Sequence, residues 1–132
     1  MMNFARHKIA SLLVASAIAT LLMACASEPP LQPGVPKTVN GVTIAPYEFY
    51  EECLHLDVGD RLDYRFESEQ PVAFNIHYHE AKLVLQPVTK TGLTSDIGIF
   101  TPVIAQDYCL MWEAGPDGAV LSYRIMLRRP RP

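Results

Sequence analysis

The stretch Leu62-Asp63-Tyr64-Arg65-Phe66-Glu67 decides the fold class of this chain, because apolar and charged residues alternate along it. In an extended strand, successive side chains point to opposite faces of a sheet. Leu62, Tyr64 and Phe66 would therefore face a core, and the three charged residues would face solvent. Such alternation is typical of a half-buried β-strand.

Similar short apolar runs lie on both sides of this stretch, separated by residues that favour turns. Glu69-Gln70-Pro71 and Gly115-Pro116-Asp117-Gly118 are predicted turns, and residues 91–96 are predicted to form a loop. No stretch after residue 25 keeps a helical period. The pattern predicts an all-β protein, an antiparallel β-sandwich of jelly-roll type. Its eight predicted strands are residues 42–45, 49–58, 62–67, 72–79, 82–88, 97–103, 108–113 and 121–127.

The amino-terminal segment has the organisation of an export signal. Arg6 and Lys8 precede an apolar run over residues 9–22, and Leu22-Met23-Ala24-Cys25 follows. The run is short for a transmembrane helix, which needs about 20 apolar residues. The whole resembles a bacterial lipoprotein signal with its lipobox. The resemblance implies cleavage before Cys25 and attachment of lipid to the sulfur and the new amino group of Cys25.

The predicted organisation has three parts: a signal peptide (residues 1–24), a lipidated cysteine with a Pro-rich tether (residues 25–37), and a β-sandwich domain (residues 38–132). The tether is predicted from Pro29, Pro30, Pro33 and Pro36, since proline favours extended backbone. Ala26, and not Asp, follows the lipidated cysteine. By the enterobacterial sorting rule this indicates an outer-membrane location facing the periplasm.

The charge of the chain bears on its partners. The formal net charge is −3, and the mature chain is more negative because Arg6 and Lys8 leave with the signal. Nucleic acid is not an expected partner, since phosphate binding needs clustered positive charge. Membrane attachment is expected through the lipid and not through a basic surface. The other expected partner is an envelope protein or a small ligand.

Cys53 and Cys109 remain after Cys25 is lipidated. In an oxidising compartment such a pair is expected to form a disulfide. In the chain-entropy model, closing this long loop stabilises the folded protein by about 4 kcal/mol. The alternative is a pair of metal-binding thiolates, but the chain lacks the short CxxC spacing typical of such sites.

Residues 49–127 resemble a GOLD domain, the β-sandwich of the p24/emp24 cargo-receptor family. The resemblance implies a binding role, and a bridge between an early and a late cysteine, as inferred above. Aligning the aromatic residues of the late strand places the family's cysteine at Met111, two residues from Cys109 on the same face. The segments that carry the resemblance are Cys53-Leu54-His55-Leu56-Asp57-Val58-Gly59-Asp60, Tyr64-Arg65-Phe66-Glu67-Ser68, Val72-Ala73-Phe74-Asn75-Ile76 and Tyr108-Cys109-Leu110-Met111-Trp112.

His77 and His79 form a candidate metal site. At positions i and i+2 of a strand both imidazoles project from one face, and imidazole suits Cu and Zn. The alternative is a polar outer face with two solvated histidines. His55 and Met111 are on the same strand faces as Cys53 and Cys109. If the two strands pair at the cysteines, His55 and Met111 point toward opposite ends and do not converge.

Other chemistry is less well supported by the sequence. No nucleophile elbow suggests a hydrolase, and the acidic residues near residues 51–63 lack the spacing of a calcium loop. The sequence therefore predicts a lipid-anchored, non-enzymatic binding module of the cell envelope without a required cofactor. A periplasmic Cu- or Zn-binding protein using His77 and His79 is the alternative.

Overall fold

The computed structural model describes residues 29–131. The predicted signal peptide and the lipidation site at Cys25 lie outside these residues. The described chain is all-β and its strands pair antiparallel, which confirms these two parts of the predicted fold class. The strands are β1 (Lys37–Ile44), β2 (Phe49–Leu56), β3 (Arg61–Glu80), β4 (Leu83–Phe100), β5 (Gln106–Ala114) and β6 (Ala119–Arg128).

The predicted number of eight strands is wrong for the described residues, because two pairs of predicted strands are continuous. β3 runs through the predicted turn Glu69-Gln70-Pro71, where the ladder with β4 shifts register between Glu67 and Val72. A bulge accommodates proline in a strand, since proline cannot donate to the ladder. The predicted loop at residues 91–96 likewise lies within β4.

The bulge is held by side chains of its own strand. Ser68 donates its hydroxyl to the carbonyl oxygen of Gln70 at 2.7 Å. The side-chain oxygen of Gln70 accepts the backbone N–H of Val120 at 3.2 Å, which ties the bulge to the start of β6. These bonds satisfy polar groups that the interrupted ladder would leave unpaired.

The described strands are hydrogen-bonded into one sheet, where the prediction has two layers. Its order is β1-β6-β3-β5-β2, with β4 paired to β3 outside this path. Residues 61–68 of β3 pair with β6, and residues 72–77 pair with β5. Because β3 changes partners at the bulge, the sheet curls into a half-barrel.

Aromatic side chains from both parts of the curled sheet form the core. Phe66 and Phe74, on either side of the bulge, have ring centroids 5.0 Å apart. Trp112 of β5 is fully buried and stacks on Tyr123 of β6 at 4.8 Å. The indole Nε1 of Trp112 has no hydrogen-bond partner within residues 29–131. Aromatic packing therefore connects β5 and β6, which do not pair with each other in the described sheet.

Polar contacts connect the edge strands β1 and β2. Lys37 of β1 forms an ion pair with Glu52 of β2 at 2.8 Å. The hydroxyl of Tyr123 donates to the same carboxylate at 2.7 Å. Burial, together with its hydrogen bonds to Tyr50 and Glu52, raises the pKa of Tyr123, so the phenol stays protonated and remains a donor.

The residues before β1 also contact the domain. Leu31 packs partly against the core, and the N–H of Gly34 donates to the carbonyl oxygen of Leu127 at 2.7 Å. Part of the Pro-rich segment is therefore attached to the surface of the sheet.

Gly98 of β4 lies directly opposite Tyr64 of β3. A Cβ atom at Gly98 would collide with the hydroxyl and ring of Tyr64. The ring thus occupies the space that a side chain would need. The hydroxyl of Tyr64 donates to Asp96 at 3.3 Å, and Lys90 binds the same carboxylate oxygen at 2.6 Å.

We expect Gly98→Ala to lower the free energy of unfolding by about 1–3 kcal/mol, because the added methyl overpacks against Tyr64. Gly115→Ala is the matched control, since a Cβ at Gly115 meets nothing within 4 Å. Urea denaturation of both variants measures the difference. Equal stability of the two variants would contradict the packing described here.

Candidate functional site

The cysteines lie directly opposite each other on neighbouring strands. Cys53 of β2 pairs with Cys109 of β5 in the ladder, and the two form a disulfide with a Cα–Cα distance of 4.0 Å. The predicted bridge is present. Cys109 is 8% exposed, and Cys53 is exposed at the outer strand. Cys53 is therefore the more exposed residue of the bridge.

The third strand of this part of the sheet brings His77 beside the bridge. His77 of β3 pairs with Cys109, so His77, Cys109 and Cys53 form a row across three strands. The next row contains Asn75, Met111 and Glu51. Residues of the two rows project from the face opposite to the core. We call these six residues the disulfide face.

His77 is held by two neighbours on this face. Its side chain is 5% exposed. The Nδ1–H group of His77 donates a hydrogen bond to Oδ1 of Asn75, with 2.8 Å between the two atoms. The Nε2 atom lies 3.0 Å from Oε1 of Glu51. Both ring nitrogens of His77 are thus engaged.

The protonation of His77 is set by opposing effects. Burial lowers the pKa of His77, and the nearby His79 lowers it further, whereas the Glu51 carboxylate raises it. Burial prevails, so the pKa lies below the ordinary value. With a proton on Nδ1, neutral His77 directs the lone pair of Nε2 at Glu51. Both Nε2 of His77 and the carboxylate of Glu51 are then acceptors, so their contact is favourable when a proton or a cation lies between them.

His79 shares the face of His77, as the alternation predicts. The two rings meet edge to face with centroids 5.2 Å apart, and His79 is exposed. A metal ion held by both histidines needs Nε2 of His77 to leave Glu51, or Nδ1 to leave Asn75. The metal site at His77 and His79 stays a prediction.

Other potential ligands lie closer together. Among the described residues, atoms of Glu51, Cys53 and Cys109 that can bind a metal are all within 4.8 Å of one another. The sequence reasoning placed Glu51 in an acidic region and missed this grouping. The signal was available in part, since Glu51 and Cys53 are two residues apart and share a strand face.

His55 and Met111 lie on opposite sides of the bridge, as the predicted pairing at the cysteines requires. His55 pairs with Asp107 in the ladder, and Met111 pairs with Glu51. The ring of His55 contacts Asp107 at 2.7 Å and Asp57 at 3.3 Å. The hydrogen bond to Asp107 is the main cause that raises the pKa of His55, with a further contribution from Asp57.

The acidic residues near residues 51–63 do not meet at one point within the described chain. Each contacts a cationic side chain or a histidine instead. The pairs are Glu51 with His77, Glu52 with Lys37, Asp57 and Asp60 with Arg129, and Asp63 with Arg61 and Arg128.

A second candidate site lies on the outer face of the other part of the sheet, and sequence reasoning missed it. A hollow of about 490 Å³ is bordered by strands β3, β4 and β6. Ile97 and Ile99 of β4 line it and are 78% and 57% exposed. We call it the arginine hollow, after Arg65 and Arg124 on its border. It is lined by Arg61, Asp63, Tyr64, Arg65, Ile97, Gly98, Ile99, Arg124, Ile125 and Met126.

The arginines around this hollow fall into two groups. Arg61 and Arg128 both bind Asp63, each at 2.6 Å. Partial burial opposes ionisation of Asp63, but its hydrogen bonds from Arg128 and Arg61 prevail and lower its pKa. Arg65 and Arg124 lie directly opposite each other and have no ion-pair partner within residues 29–131. Like charges in this arrangement repel.

Comparison with known proteins finds no matching family model and no matching curated protein. Within residues 29–131, no helix has the length and apolar character needed to cross a membrane.

We expect the histidines on and beside the disulfide face to titrate on opposite sides of pH 6.5, His55 above it and His77 below it. Asp107→Asn should bring the pKa of His55 down toward 6.5 and leave that of His77 in place. Because the folded pKa of His77 is lowered, its contribution to stability is complete above the unfolded pKa and is lost as the pH falls through the folded pKa. NMR titration of the imidazole protons measures both values, and an unmoved His55 in Asp107→Asn would contradict the assignment.

Proposed function

We propose that this protein is a lipid-anchored, non-enzymatic binding module of the bacterial cell envelope. It would hold a partner protein or a small ligand close to the membrane. The observation that carries the binding role is the arginine hollow, where exposed isoleucines lie beside two arginines that have no carboxylate partner among residues 29–131.

The anchor is supported by the sequence Leu22-Met23-Ala24-Cys25 after a basic and apolar start. Acylation at Cys25 would attach the mature chain to the membrane, with each buried methylene adding about 0.8 kcal/mol. Ala26 after the cysteine supports an outer-membrane location facing the periplasm.

The chemistry of the hollow supports a ligand with both an acidic and an apolar part. Holding Arg65 and Arg124 opposite each other costs free energy in the unbound protein. An acidic group placed between them would relieve that repulsion through charge-assisted hydrogen bonds. Ile97, Ile99 and Met126 would cover the adjoining apolar part, since exposed apolar patches rimmed by polar residues mark interaction surfaces.

The proposed GOLD-like sandwich is supported by how the curled sheet is divided. One part contains β1, β6 and the first half of β3, and the other contains β2, β5 and the second half of β3. β4 follows β3 through both parts. Each part thus has four strand segments, as in a sandwich layer, which agrees with a binding fold of GOLD type.

The second candidate function is a periplasmic Cu- or Zn-binding protein using His77 and His79. The observation that favours it is the short distance between their rings, 5.2 Å between centroids, on one face of β3.

We expect Cys25→Ala to abolish incorporation of radiolabelled palmitate in the native host. The reason is that Cys25 is the proposed acceptor of the lipid. Cys53→Ala/Cys109→Ala is the control, because it removes the other cysteines and should still incorporate palmitate. Palmitate incorporation into Cys25→Ala would contradict the proposed anchor.

We expect benzoylphenylalanine at position 97 to form a discrete photo-crosslinked adduct with an envelope component in the native host. Position 117, in the exposed turn between β5 and β6, is the control and should give none. Arg65→Ala/Arg124→Ala should weaken the adduct at least tenfold, because charge-assisted hydrogen bonds contribute about 1.5–3 kcal/mol each.

A variant that loses the same charge elsewhere separates this contact from general electrostatics. Lys82→Ala/Arg131→Ala removes two exposed cations away from the hollow and should leave the adduct unchanged. An adduct of equal yield at positions 97 and 117, or one insensitive to the loss of Arg65 and Arg124, would contradict the proposed surface.

A further inference from the structure

The disulfide face has the composition of a metal site whose two sulfurs are joined to each other. The sulfurs of Cys53 and Cys109 and a carboxylate oxygen of Glu51 are all within 4.8 Å of one another. In the disulfide the sulfurs carry no charge and ligate metals weakly. As thiolates they are strong ligands of zinc-class cations.

His77 supplies a fourth ligand atom of suitable chemistry next to this group. Its Nε2 atom lies 3.0 Å from Oε1 of Glu51, at the border of the group of atoms that are within 4.8 Å of one another, and a shift of these side chains would bring it onto a shared ion. Its Nδ1 atom is held at 2.8 Å by Oδ1 of the buried Asn75. A metal-binding histidine characteristically donates its second ring N–H to such an oxygen, which fixes the tautomer and the ring orientation.

The backbone already places the four side chains together. Cys53, Cys109 and His77 occupy one row across β2, β5 and β3, and Glu51 precedes Cys53 by two residues on the same face. The cysteine Cα atoms are 4.0 Å apart, so rotation of the side chains alone can separate the sulfurs enough to chelate one ion. No strand needs to change partners.

We propose that reduction of the Cys53–Cys109 disulfide by a dithiol opens a site for one Zn²⁺-class cation, held by both thiolates, the carboxylate of Glu51 and Nε2 of His77. The dithiol is oxidised to its own disulfide, and its two electrons and two protons convert the Cys53–Cys109 bond into two thiols. Binding of the cation then releases the two thiol protons. The incoming thiolate would attack at Cys53, the more exposed residue of the bridge.

The ligand set favours a zinc-class ion over calcium or magnesium. Two sulfur ligands, one imidazole and one carboxylate make a four-coordinate set of mixed N, O and S donors, which suits Zn²⁺. This site differs from the predicted pair at His77 and His79, because it excludes His79 and requires the reduced cysteines. The site shares no residue with the arginine hollow. Failure of the metal proposal would therefore not affect the proposed binding role, and failure of the binding role would not affect the metal proposal.

Titration of the purified full-length protein with Co²⁺ and Zn²⁺ tests the proposal. Co²⁺ reports thiolate ligation through a sulfur-to-metal charge-transfer absorption, and Zn²⁺ affinity follows from competition with a chromophoric chelator. The protein is compared oxidised and after reduction by a phosphine, because a dithiol would itself bind the metal. We expect one equivalent to bind to the reduced protein, with the charge-transfer band, and at least 100-fold weaker binding to the oxidised protein.

Variants that keep both cysteines test the other ligands. Glu51→Gln and His77→Gln should each weaken Zn²⁺ binding to the reduced protein by tenfold or more. Asn75→Ala should weaken it about 10- to 100-fold, because Asn75 orients His77 without touching the ion. His79→Ala is the matched control and should bind as the unaltered protein does.

Three outcomes would overturn the proposal. Equal binding by the oxidised and reduced protein that is lost in His79→Ala would assign the metal to the His77–His79 pair. Absence of the charge-transfer band in the reduced protein would exclude thiolate ligation. Loss of the near-ultraviolet circular dichroism of Trp112 on reduction, without recovery on adding Zn²⁺, would show that the reduced chain does not retain the site.

Discussion

The bulge of β3 between Glu67 and Val72 is the constraint on which the rest of the structure depends. It lets one strand pair with β6 along its first part and with β5 along its second. The sheet therefore curls, and Phe66 and Phe74 from the two sides of the bulge come into contact. If β3 were straight, β5 and β6 would lie end to end along one edge of a flat sheet. The apolar face of β5 could then not pack against the apolar face of β6.

The periodicity of the sequence identifies the strands and their buried faces, because side-chain alternation is a local property of extended backbone. Leu62, Tyr64 and Phe66 are buried as predicted, at 0%, 6% and 2% exposure. The predicted turn at Glu69-Gln70-Pro71 is wrong because a turn and a bulge share the same local signal. Whether the chain reverses or only bends depends on which strands lie beside it, and sequence periodicity does not contain that information.

The candidate site depends on the same missing information. Alternation predicts that His77 and His79 share a face, and the export context predicts the bridge between Cys53 and Cys109. That His77 lies opposite Cys109 follows from the register of β3 with β5, which the bulge sets. The predicted outer face is not fully solvated: His77 is 4% exposed, and its ring contacts Asn75, Glu51 and His79. The pairing of Arg65 with Arg124 is a consequence of register in the same way.

The position of the disulfide in the sheet bears on what its reduction does to the fold. The bridge lies on the outer face of β2 and β5, whereas Trp112 and Leu110 of β5 face the core and are fully buried. β2 is also held by its backbone ladder to β5 and, on its inner face, by Glu52 with Lys37 and Tyr123. Breaking the sulfur bond removes a constraint on the unfolded chain, but it removes none of these contacts from the folded one. Chemistry at the bridge is therefore separable from the aromatic core, so the outer face can change its ligands while the curled sheet stays the same.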